Sequence, residues 1–185
     1  MQTLPLPPGM APMPEYVIVE ASTGTHTRRI ALLGLNTNDP ALYKPRHFGG
    51  CVIEDVNKTA ACMYERIMSV ERVDAIVPLT HQLVGLDREL AELGVGFPVI
   101  IGGHDHEVYI EDINGCHVVK AGTEGENILV VDLVWSSSLQ TSPIVTVKLN
   151  PAKNYPPDPL VSAAVLKHQM LTKELVRSSS AYLSS

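Results

Sequence analysis

Two apolar runs that each end in histidine constrain this chain more than any other feature. They are Val73-Asp74-Ala75-Ile76-Val77-Pro78-Leu79-Thr80-His81 and Phe97-Pro98-Val99-Ile100-Ile101-Gly102-Gly103-His104-Asp105-His106. Each is nearly continuous in apolar residues over a strand's length, the pattern of a parallel strand covered on both faces. Between them Leu83, Leu86, Leu90 and Leu93 recur at helical steps, and Gly94 and Gly96 stop the helix they mark. A strand, helix, strand unit closes right-handed with its strands parallel, so both C-terminal ends reach one sheet edge. His81, His104 and His106 are thereby predicted to converge where α/β proteins place ligands.

The flanking sequence supplies more of the same architecture. Tyr16 to Glu20 and Arg29 to Leu35 read as strands around the turn composition Ser22-Thr23-Gly24-Thr25, with His26 in the turn. Asn36 to Gly50 has no periodicity and reads as a surface loop. Val56, Ala60, Met63 and Ile67 then predict a helix over Val56 to Val70. Beyond the histidines, Val108 to Ile113, His117 to Lys120, Ile128 to Val134 and Ile144 to Leu149 read as strands, the first two joined by a strong Asn114-Gly115 hairpin signal. Pro151 to Pro159 is a linker by composition, and a helix is expected from Leu160 to about Arg177, with Val161, Val165, His168 and Leu175 roughly on one face.

A chain of 185 residues, 45% hydrophobic and 18% charged, is of a size and composition to bury one substantial core. Its formal net charge of -6 without a long Lys/Arg cluster lacks the footprint of a nucleic-acid polymer or anionic-membrane binder. Three widely spaced cysteines, Cys51, Cys62 and Cys116, give no disulfide framework, which favours a reduced, cytoplasmic setting. Met1 to Pro14 carries five prolines and no basic residue, so it reads as an extended tail rather than a secretory signal.

Neutral imidazole is a good ligand for divalent metals, and a catalytic zinc commonly keeps three protein ligands and one open position. His81, His104 and His106 match that number, and Gly102-Gly103 is expected to provide a sharp turn that aims the last two. Asp105 either faces outward or orients an imidazole.

The runs "IVPLTHQLVGLDRELAEL" and "PVIIGGHDHEVYIEDINGCHVVKAGTEGENILVVDL" resemble the second half of the metallophosphatase domain of 5′-nucleotidases and related calcineurin-like phosphoesterases. The resemblance runs from about Tyr16 to Leu149 and is sharpest from Ile76 to Leu133. It implies part of a four-layer α/β/β/α sandwich with mixed sheets, spanning residues 15–150, its N-terminal strands missing. Residues 151–185 would lead toward a 5′-nucleotidase C-terminal domain that the chain does not reach. By the same resemblance, His81 and His104 would ligate one divalent metal (Zn, Mn, Mg or Fe) and His106 a second. The implied reaction is hydrolysis of a nucleotide or other small phosphate ester, in which two cations stabilise the attacking and leaving oxygens.

The departures from that pattern are equally specific. The family's Asp-x-His, Gly-Asp and Asn-His motifs occur nowhere in this chain. Without a bridging carboxylate two dications would repel strongly, so one metal at most is expected, and catalysis by this chain alone is not. Missing strands would also leave segments such as Asp74 to Leu79 with unpaired edges and bare apolar faces, predicting self-association or a partner chain that supplies the missing half. The alternative is a degenerate, non-catalytic interaction module. His47 beside Arg46, His26, His168 and the Cys116-His117 pair are expected to be structural or solvated. Asp87 reads as a supporting group, and Lys120 as a solvated strand-end lysine with phosphate attraction as its other role.

Overall fold

The computed structural model describes residues 14–24, 26–44 and 52–182. His47, Arg46 and Cys51 lie outside the described residues, as does nearly all of the Pro-rich start. The chain divides into two compact units, residues 1–151 and 152–185.

The first unit is built on a six-stranded mixed sheet in the order β1-β2-β3-β4-β6-β5. β1 (Val17–Thr23) and β2 (His26–Asn36) form an antiparallel hairpin. β2 is followed by α1 (Val56–Val70), β3 (Ala75–Gln82), α2 (Val84–Glu92) and β4 (Val99–His104). β5 (Val108–Ile113) and β6 (Cys116–Ala121) close through Asn114 and Gly115, whose φ angles of +53° and +87° are what a two-residue hairpin turn requires. β2, β3, β4 and β6 run parallel, so Asn36, Gln82, His104 and Ala121 all end at one edge. A separate two-stranded sheet pairs β7 (Asn127–Val134) with β8 (Ile144–Pro151).

Side-chain alternation sorts the sheet's two faces. On one, Ala31, Leu33, Leu35, Ile76, Ile100 and Val118 pack with Val56, Ala60, Met63 and Ile67 of α1 and Leu90 and Ala91 of α2. These α1 residues are the ones whose spacing predicts a helix, and Asp55 caps its start by accepting from the Lys58 N–H at 2.8 Å. On the other face Val77, Val99 and Val119 are covered by Leu129, Val131 and Leu133 of β7 and Val145 and Val147 of β8. The described elements of this unit thus make three layers, α/β/β. The outward side of β7–β8 leaves Ile128, Val130, Val134 and Ile144 about half exposed.

Several expectations need correction. β3 is not an edge with bare faces: β2 and β4 pair with both its sides, α1 and α2 lie on one face and β7–β8 on the other. The hairpin β1–β2 and the pair β7–β8 provide the cover that the expectation assigned to absent strands. His26 begins β2 opposite Thr23 rather than sitting in the turn. β3 also runs through His81 to Gln82, because Thr80 and Gln82 are buried polar side chains rather than loop residues.

Cys116 and Cys62 differ in reactivity for a structural reason. Burial, reinforced by the charge of Asp112, pushes the Cys116 thiol up to about 12, whereas Cys62 is exposed. Near the ordinary thiol pKa of about 8.5, an alkylating reagent is expected to label Cys62 and spare Cys116 in the folded protein. Peptide-resolved mass spectrometry checks this, and comparable labelling at both sites contradicts it.

The second unit is dominated by α3 (Pro159–Tyr182), capped where the Asp158 carboxylate accepts from the N–H groups of Leu160 and Val161. No helix among the described residues is long and apolar enough to cross a membrane.

Candidate active site

The parallel strand ends carry the histidines. In the ladder Asn36 pairs with His81, His81 with Gly103, and Gln82 with His104. Strand alternation places His81 on the face with Val77 and Leu79, and His104 on the opposite face with Ile100 and Gly102. The rings nevertheless meet edge to face, centroids 5.2 Å apart and planes at 82°. The backbone of His104 explains how: its φ is +78°, a left-handed conformation uncommon outside glycine, and there the chain leaves the strand.

Gly102 and Gly103 therefore do not form the expected turn. Both lie within β4, and their lack of a side chain serves space rather than conformation. A Cβ on Gly102 would stand 2.7 Å from Asp87 Oδ2 and 2.9 Å from Lys120 Cε. One on Gly103 would stand 3.1 Å from His81 Nδ1, so the His81 ring leans over a bare stretch of β4. His106 lies exposed in the turn after β4. Among the described residues no group of three or more His, Cys, Asp or Glu side chains is placed to hold one ion. The structure brings His81 and His104 together and leaves His106 outside such a group.

Beneath the pair lies a polar cluster whose extent the sequence hides. Lys120 is 1% exposed and Asp87 fully buried, with Nζ 2.8 Å from Asp87 Oδ2. Its ammonium donates to the carbonyls of Gln82 at 2.6 Å and Gly103 at 2.7 Å, and to the Asp105 carboxylate at 2.5 Å. Gln82 Nε2 donates to Asp87 Oδ1 at 2.9 Å, while the buried Thr80 hydroxyl finds no partner. Lys120 is thus neither solvated nor able to reach a phosphate, and Asp105 neither points outward nor holds an imidazole. Burial, the largest single influence on Asp105, raises its carboxyl pKa, but the Lys120 hydrogen bond and charge outweigh it and leave the group below its ordinary value. A smaller downward pull comes from the Val84 N–H at the start of α2, where Leu83 offers no capping side chain.

For metal chemistry, two neighbouring imidazoles offer two donors where a catalytic zinc commonly has three. The pair fits part of a ligand set and not a whole one. Asp87 and Asp105 are committed to Lys120, so neither is free to bridge two cations.

No family model matches the chain. A stretch of 78 residues, 42% of the chain, is 36% identical to the trifunctional nucleotide phosphoesterase protein YfkN of Bacillus subtilis (strain 168), of which it spans 5%. Among solved structures, a calcineurin-like phosphoesterase, YfkN from Bacillus subtilis, superimposes at a TM-score of 0.69 with 21% identity, covering 88% of this chain and 58% of that one. A 5′-nucleotidase precursor from Thermus thermophilus does so at 0.65 with 18% identity, over 88% of this chain and 35% of the other. The chain shares part of the fold of these phosphoesterases. The sulfate thiohydrolase SoxB of Thermus thermophilus shares that fold at a TM-score of 0.69 and 22% identity, with 88% of this chain and 30% of that chain covered. That fold is thus present in part, the chain spanning less than two thirds of each of these solved structures.

Proposed function

We propose that this chain forms the histidine-bearing half of a divalent-metal-dependent phosphoesterase site, acting on a nucleoside phosphate or similar small phosphate ester, and that alone it is inactive. The observation that carries the reading is the meeting of His81 and His104 at the C-terminal edge of parallel strands. The fold is shared with proteins named as a nucleotide phosphoesterase and a 5′-nucleotidase. Bound metal would supply electrostatic stabilisation to a phosphoryl group in transfer. His81 and His104 would hold it as neutral donors, and His106, exposed in the turn after β4, is the candidate third donor. The carboxylates for a second cation would come from another polypeptide segment, since Asp87 and Asp105 are engaged by Lys120 and, among the described residues, no other carboxylate groups with the two histidines. The half-exposed apolar outer side of β7–β8 is consistent with such a completing segment.

The test is hydrolysis of 5′-AMP and of an aryl phosphate by the purified chain with zinc or manganese. Metal uptake that His104→Ala abolishes, without turnover, is the expected result. Turnover lost in the same variant overturns the claim of inactivity, and absence of uptake overturns the metal-site reading.

A further inference from the structure

We propose that Lys120 is a positioning residue, an internal cation that locks the two histidine-bearing strand ends to each other. The proposal rests on the reading of His81 and His104 as metal ligands only for its consequence on metal affinity. An ammonium has three N–H donors. Here they are directed to Gln82 O, Gly103 O and Asp105 Oδ2. Asp87 Oδ2, at 2.8 Å, takes no hydrogen bond and is held by charge.

The two carbonyls explain the positioning. Gln82 directly follows His81, and Gly103 directly precedes His104, so one ammonium grips the main chain beside each imidazole. These residues form the last rungs of the β3–β4 ladder, Gln82 opposite His104 and His81 opposite Gly103. Beyond them no backbone pairing fixes β3 against β4. Asp105 extends the grip past the left-handed residue His104, so the turn after it is tied to the same nitrogen. With Lys120 only 1% exposed, water competes little for these bonds. Gly102 is required by the same device, because a side chain there would meet Lys120 Cε and Asp87.

A lysine that merely neutralised Asp87 would be dispensable once Asp87 was neutral. The experiment therefore compares the wild type with Lys120→Met and with the double variant Lys120→Met/Asp87→Asn, which removes the fully buried Asp87 charge together with that of Lys120 and leaves only the partly exposed Asp105 carboxylate without its cation. The readout in metal-free protein is the NOE between the His81 and His104 ring protons, alongside the thermal midpoint. The double variant is expected to regain the part of the midpoint that Lys120→Met loses through the unpaired Asp87 charge, yet to show the NOE reduced several-fold. A double variant with a wild-type NOE overturns the proposal. Zinc affinity by calorimetry is expected to fall about 10–100-fold in the double variant, as for other residues that orient ligands. Should the wild type bind no zinc while the NOE is lost as expected, the ligand reading fails and the positioning role stands.

Discussion

Lys120→Met is expected to lower the unfolding free energy by about 3–5 kcal/mol, the cost of stripping one partner from a buried ion pair. The mechanism is specific to this cluster. Asp87 has no exposure and retains only the Gln82 amide as a hydrogen-bonding partner, while Asp105, 19% exposed, loses its ammonium. The carbonyls of Gln82 and Gly103 lose a charged donor at the same time. Urea unfolding of the two proteins measures the loss as a fall in midpoint at unchanged slope. A difference below about 1 kcal/mol would place the ammonium in water and contradict the burial described here.

Gly102→Ala is expected to cost about 3 kcal/mol, the upper end of what overpacking a core commonly does. The added methyl would lie 2.7 Å from a carboxylate oxygen of Asp87, itself fixed by Gln82 and Lys120, so the obstacle is not the free end of a flexible chain. Gly34→Ala is the matched control in β2. Its Cβ meets nothing within 4 Å, and a change of no more than about 0.5 kcal/mol, or a slight gain, is expected. Equal effects at the two positions would remove the steric explanation for Gly102.

The strand, helix, strand core was legible because its signal is periodic and local. The runs at β3 and β4 are apolar on both faces, and the α1 positions Val56, Ala60, Met63 and Ile67 are the buried ones. The Asn114-Gly115 turn carries its own conformational signature. The cluster below the histidines was not legible, for a different reason. Lys120, Asp87, Gln82 and Asp105 lie on two strands, a helix and a turn, and each alone looks like a solvated polar residue. Only tertiary packing discloses that they neutralise one another. Gly102-Gly103 resembled a turn because sequence shows a missing side chain but not the neighbours that need its space. His106 illustrates the limit of spacing: residues two apart share a face only while a strand continues, and this chain leaves β4 at His104.

Native mass spectrometry of a zinc titration, run on the wild type and on His81→Ala/His104→Ala, most directly examines whether these strand ends form half of a metal site. One ion per chain in the wild type and none in the variant is the expected outcome. Two ions per chain, or an ion retained after both histidines are removed, would show that the metal site has been put in the wrong place or counted wrongly.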